Sequence, residues 1–271
     1  MNALDRATLE FVIAKGEAFD QYRAHRLLNG PDTPAPAGWA EDQTPEGGWR
    51  SREMKYRGPN MGRTSVVLMT LNVAGLIQTP EGQRTVAFLW GAQQPDGRWT
   101  EDPAQLADTP PEWNRPGDVS VDCWETANVA AGLAAAGYAR DPRLERALAW
   151  LNAHVGHEGR FPGYIHGTFA MAALHALRDE QAQADHYLAA SLQVLRSYEK
   201  ESWFDVMDLA WPLMLWAMAG LKPDHRVVQA YLADLGARRL PDGTWPTRYT
   251  GFEPSFAIEA LEVKLRHGFK Y

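Results

Sequence analysis

A chain of 271 residues, 45% hydrophobic and 23% charged, is long enough for one large globular domain. A net charge of -7 and a pI near 5.6 exclude a nucleic-acid backbone as the main partner, since that needs a basic face, and give no support for anionic lipid. A single cysteine, Cys123, excludes an intrachain disulfide, and a reducing cytoplasm is the expected setting.

Residues 1–30 carry charges throughout and no apolar run of leader type. They predict one long helix over Ala7–Leu28, completing an inner layer. The Pro/Ala stretch 31–38 is linker-like but lies too near the start to separate two domains. The chain then repeats a Gly-x-aromatic turn followed by a helix. The turns are Gly47-Gly48-Trp49, Gly97-Arg98-Trp99, Gly159-Arg160-Phe161 and Gly243-Thr244-Trp245, with a degenerate copy at Glu201-Ser202-Trp203. Successive aromatics are 50, 62, 42 and 42 residues apart. The longest interval holds a Pro-rich, acidic insertion, 101–117, which has the length and composition of a lid.

Each turn leads into a nearly all-apolar helix: 64–76, 123–136, 168–177, 206–219 and 255–265. A helix apolar on all sides is buried on all sides. Before the turns run amphipathic helices. Leu144, Ala147, Leu148 and Leu151 share one face, as do Val228, Tyr231, Leu232 and Leu235, so these helices lie outside. Segment 119–139 is the most apolar, but with Asp122 and Glu125 inside it reads as a buried helix rather than a membrane span. Buried and half-buried helices in alternation describe two concentric layers of about five to six pairs. The expected fold is therefore all-α, an α/α-toroid, in a single domain over 1–271.

Arg84, Phe88, Leu89, Gln93, Gly97 and Trp99 together resemble the QW motif of squalene-hopene cyclases and their prenyltransferase relatives. Leu240-Pro-Asp-Gly243-Thr-Trp245 is similar to its shorter form. The resemblance implies a toroid whose inner helices start at a cavity mouth, and an aromatic-lined cavity for isoprenoid chains. It says more about fold than about chemistry. Class II terpene cyclases of this superfamily protonate their substrate with the central acid of an Asp-x-Asp-Asp-Thr-Ala pattern. Here the matching segment is Asp122-Cys123-Trp124-Glu125-Thr126-Ala127, with Trp124 at the central position. Against the prenyltransferase zinc pattern, Asp118 and Ser120 stand where an Asp and a Cys are expected, and Glu253 where a His is expected. No metal and no cofactor is therefore expected.

The starts of the buried helices carry the candidate site residues. Asp122, Glu125, His166 and Asp205 are candidates for acid–base work at the lip of an apolar cavity. Capping is the competing reading for Asp122 with Glu125, and for Asp205 with Asp208, because acids recur at helix starts for that reason alone. Trp124, Trp203, Phe169 and Phe256 are candidates for lining the substrate, with Arg63 and Glu253 at the same end; simple core packing is the alternative. The expected partner is an apolar small molecule, with no nucleic acid and no transmembrane segment; oligomeric state is left open. The leading function is terpene-cyclase-like acid–base chemistry on an isoprenoid. A non-catalytic lipid-binding or interaction protein is the alternative, and a carbohydrate lyase or hydrolase with paired carboxylates is a second.

Overall fold

The computed structural model describes residues 1–198 and 204–268. They contain eleven α-helices and no strand, only two isolated bridges, Gln43–Trp49 and Trp49–Asn60. Helices α3 (Met61–Val73), α5 (Val119–Leu133), α7 (His166–Leu177) and α9 (Met207–Met218) each bury almost their whole surface. In α5 every residue from Val121 to Leu133 is buried. By contrast, α4 (Pro80–Ala92) buries only Gly82, Thr85, Val86 and Leu89, and α6 (Pro142–Asn152) only Leu144, Ala147, Leu148 and Leu151. Both sets have the three-and-four spacing of one helix face. The remaining helices are α1 (Ala3–Lys15), α2 (Ala18–Asn29), α8 (Gln181–Tyr198), α10 (Arg226–Ala237) and α11 (Glu253–His267). No helix among the described residues is long and apolar enough to cross a membrane.

The backbone gathers into two compact units: Met1–Glu41 with Leu195–Ala217 and Leu221–Tyr271, and Asp42–Val194 with Met218–Gly220. In the second unit α5 packs between α3 and α7, with α4 against α3 and α6 against α5. In the first unit α1, α2 and α11 pack on one another.

Four Gly-x-aromatic turns are built alike. In each, the glycine N–H bonds back three residues and a second bond spans four: Gly47 to Thr44 with Thr44 to Gly48, Gly97 to Gln94 with Gln94 to Arg98, Gly159 to Gly156 with Gly156 to Arg160, and Gly243 to Leu240 with Leu240 to Thr244. The aromatic is buried every time. Trp99 donates its indole N–H to the Leu89 carbonyl at 2.6 Å, and Trp245 to Leu235 at 2.8 Å, so each closes the end of the preceding amphipathic helix. Gln93 ties its turn to the start of the next one, donating to Gly97 and Arg143 carbonyls at 2.9 and 3.0 Å. Gly97 has a φ of 101°, and a Cβ there would lie 2.4 Å from the Arg146 backbone, so only glycine fits against α6.

The expected single helix over 7–28 is two helices. Gly16 is extended at φ -72°, ψ 165°, and donates its N–H to Val12 at 2.7 Å, ending α1. Nor does α1 take an inner position. Thr8 donates its hydroxyl to the Gly243 carbonyl at 2.7 Å, and Arg239 bonds Thr8 and Asp5 at 2.9 Å each. At the last turn α1 therefore stands where α4 and α6 stand at the first two. Its half-buried pattern, with Thr8, Leu9 and Val12 inward, is that of an outer helix.

Candidate functional site: a buried carboxyl pair beside an aromatic cluster

Helix α5 begins at Asp118, whose carboxylate caps the Ser120 N–H at 2.8 Å. This leaves Asp122 and Glu125 free of that duty, so the capping reading falls to Asp118. Glu125 lies one turn further in and is fully enclosed, at 0% exposure. Neither of its oxygens accepts a hydrogen bond from a donor among the described residues. Its carboxyl instead contacts that of Glu101, the first residue of the insertion, itself 1% exposed.

Glu101 is saturated with donors. One oxygen accepts from Asn60 at 2.6 Å, Asn114 at 2.6 Å and the Gly62 N–H at 2.9 Å. The other accepts from the Met61 N–H at 2.7 Å and Gln105 at 2.5 Å. Two of these are open N–H groups at the start of α3, where negative charge is favoured. Burial pushes both carboxyls up. For Glu101 the Glu125 contact, the α3 N–H groups and Gln105 pull back, whereas for Glu125 the charges of Glu101 and Asp122 add to the rise. The donors gathered on Glu101 favour its ionised form, and burial beside Glu101 and Asp122 favours the neutral form of Glu125.

Asp122 is 2% exposed, and Arg98 approaches it at 3.5 Å. Burial raises its carboxyl, Thr100 and Arg98 oppose that, and Asp96 and Asp118 add to it. Burial, then Asp122 and Asp118, push the Cys123 thiol up to about 12, keeping it neutral.

Next to the acids stands an aromatic cluster. Trp124 makes edge contacts with Tyr164 at 6.5 Å and His166 at 6.3 Å, and His166 meets Phe169 edge-on at 6.2 Å. The Trp124 ring lies over Gly62, where a Cβ would come within 2.9 Å of it, so the cluster abuts the Glu101 donors directly. Trp124 is 6% exposed, and its indole N–H has no partner among the described residues. Burial, helped by Asp118 and Glu112, pushes the Tyr164 phenol up.

Asp122, Trp124, Glu125, His166 and Phe169 thus gather around α5 and α7. Arg63 is half-buried in the first turn of α3, its own N–H capped by Asn60 at 2.7 Å. In the other unit, Asp205 accepts from the Val206 N–H at 2.6 Å, the Arg248 N–H at 3.0 Å and the Thr247 hydroxyl at 3.1 Å. Asp208 accepts the Asp205 N–H at 2.7 Å, the reciprocal half of a cap. Glu253 accepts from the Gly251 N–H at 2.7 Å. Phe256 is buried, stacked on Phe252 at 5.9 Å and edge-on to Tyr249 at 6.1 Å. Trp203 lies outside the described residues. Reading the sequence for helix starts misses Glu101, which sits in a loop, and Tyr164. One signal points to Glu101: it stands two residues past a turn aromatic, as Thr247 does past Trp245, and each bonds into the start of a buried helix or its neighbours.

No family model matches the chain, and no curated protein does. Solved structures do. The type II terpene cyclase MstE from Scytonema, without ligand, matches at a TM-score of 0.57 and 15% identity, covering 97% of each chain. An Asp-to-Ala variant of it in complex with its product, merosterolic acid A, matches at 0.59 and 16%, covering 97% of this chain and 96% of that one. An Asp-to-Asn variant with its substrate, geranylgeranyl dihydroxybenzoate, matches at 0.56 and 15%, covering 97% and 95%. At this identity the likeness is one of fold: the chain has the all-α, α/α-toroid fold of a type II terpene cyclase.

Proposed function

We propose that the chain is an enzyme that starts a cyclisation or isomerisation by protonating a prenyl-type, lipophilic substrate, with Glu125 as the proton donor. The observation that carries this reading is a fully enclosed carboxyl that accepts no hydrogen bond among the described residues, set against a second buried carboxyl and one residue from Trp124 of an aromatic cluster. A donor of this kind must keep its proton at neutral pH, which burial and a neighbouring carboxylate both favour. In the proposed step the Glu125 O–H bond breaks and a C–H bond forms from the π pair of a substrate double bond. A second double bond can attack the cation left on the neighbouring carbon, forming a C–C bond and moving the charge to a new carbon. With or without that closure, the final cation loses a proton from an adjacent carbon to the Glu125 carboxylate, directly or through solvent. Substrate and product are then isomers, and the acid is restored. Trp124, Phe169 and the His166 ring line the path of the cation, which aromatic faces stabilise. Asp122 supports Glu125 by opposing its ionisation. The shared fold with a cyclase that binds a geranylgeranyl-bearing substrate supports a prenyl chain as the ligand class.

Complete enclosure of Glu125 favours one second reading, a lipid-binding protein in which the acid pair is structural. Incubation with C15 to C30 polyprenoids separates the two. The proposal expects isomeric products from the wild type, and bound but unchanged ligand from Glu125→Gln. Equal turnover by the two proteins excludes Glu125 as the donor; binding without turnover by the wild type selects the second reading.

A further inference from the structure

We propose that Glu101 is the positioning residue that keeps the proton on Glu125, and that the 101–117 insertion is the scaffold of this pair. This deepens the reading above, resting on it for what the proton does but not for where the proton is.

A carboxylate offers about four lone-pair directions, and a protonated carboxyl fewer, one of its oxygens being committed to the hydrogen. Glu101 receives five donors, so it is the ionised partner. Glu125 receives none from the described residues, so nothing compensates a charge on it. Two touching carboxylates without a cation between them do not both ionise. The charged groups acting on Glu125 are Glu101 from the insertion and Asp122 from its own helix, both acidic. Arg98 is directed to Asp122 and Asp96, at 3.5 and 3.1 Å. Tyr56, hydrogen-bonded to Asp102, also senses Glu101, and burial followed by that bond pushes its phenol up to about 12, so it stays neutral.

The donors come from two places. Asn60, Met61 and Gly62 form the start of α3, while Gln105 and Asn114 belong to the short 3-10 turns Pro103–Asp108 and Glu112–Asn114 of the insertion. Gln105 is 0% and Asn114 8% exposed, so the insertion is pinned through its own buried side chains. A loop built only to open and close would not bury its amides on a carboxylate. The insertion therefore tunes the pair: Gln105 and Asn114 hold Glu101 ionised, which leaves the proton on Glu125 and lowers the pH at which the pair gives it up.

Infrared titration of the protonated carboxyl stretch in the full-length protein tests this without substrate. The wild type should show a buried protonated carboxyl at pH 7 that Glu125→Gln removes. Asn114→Ala takes away a donor from the Glu101 carboxylate and should move the loss of that band up by about one pH unit. Gln105→Ala should do the same, and covers the case in which Asn114→Ala does not fold. Asp122→Asn removes a negative neighbour and should move it down. A band that survives Glu125→Gln, or that neither donor variant moves, overturns the proposal. Turnover is read separately: a protein that shows the band but no reaction keeps this inference and loses the enzymatic one.

Discussion

Thr126 links a turn to a buried helix through one hydroxyl, which accepts the Trp99 N–H at 3.0 Å and donates to the Trp99 carbonyl at 3.2 Å. Thr126→Val keeps the shape and leaves a buried N–H unpaired, so chemical denaturation should show a loss of about 1–3 kcal/mol, while Thr126→Ser should lose less. At Glu125 the consequence is one of pH. The folded protein favours a proton there that the unfolded chain releases above about pH 4.3, so this group's stabilising contribution is fully present in acid and is lost as pH rises toward the folded carboxyl's own ionisation. Its contribution to the slope is at most about 1.4 kcal/mol per pH unit, opposite in sign to that of groups such as Asp5. Glu125→Gln should remove this contribution, and denaturant midpoints measured from pH 4 to 8 will show it. Asp122 and Glu125 were legible as acids because their spacing puts them at the start of an apolar helix. Glu101 was not, since its burial depends on Asn60, 41 residues earlier, and on the folding of a loop.

Among elements, the repeated turn was the most legible, because a glycine, an aromatic and a glutamine at fixed spacing each have a local structural task. Gly97→Ala puts a Cβ on a residue at φ 101° and against the Arg146 backbone, and should cost about 3 kcal/mol or more. A matching Gly91→Ala in α4, where a Cβ meets nothing, should leave stability unchanged or raise it by up to about 1 kcal/mol. The break at Gly16 was not legible. Helical pattern continues through it, and what favours the break is the docking of α1 on a turn 235 residues away. That docking rests on Asp5, which Arg239 meets at 2.9 Å and Lys264 at 2.7 Å. Burial raises the Asp5 carboxyl, yet Lys264 and Arg239 outweigh it and hold the group below its ordinary value. Its stabilisation is present above the unfolded pKa and is lost as pH falls through the folded one. Asp5→Asn should cost about 3 kcal/mol by leaving two cations without their carboxylate, read as a lowered Tm at neutral pH that converges on the wild type in acid.

For the whole molecule, fold and chemistry were unequally legible. Helix periodicity and turn residues act locally, so an all-α toroid can be read from one sequence. The acid cannot, because the familiar central position holds Trp124, and the neutral carboxyl depends on groups from α3, the insertion and α5 meeting inside one unit. In the proposed reaction a proton from Glu125 is added to carbon. The direct measurement is the mass of the product formed from a polyprenoid in deuterium oxide. One deuterium per product molecule, absent together with the product in Glu125→Gln, is the predicted result. A product free of deuterium, or the same labelled product from the Gln variant, would contradict it.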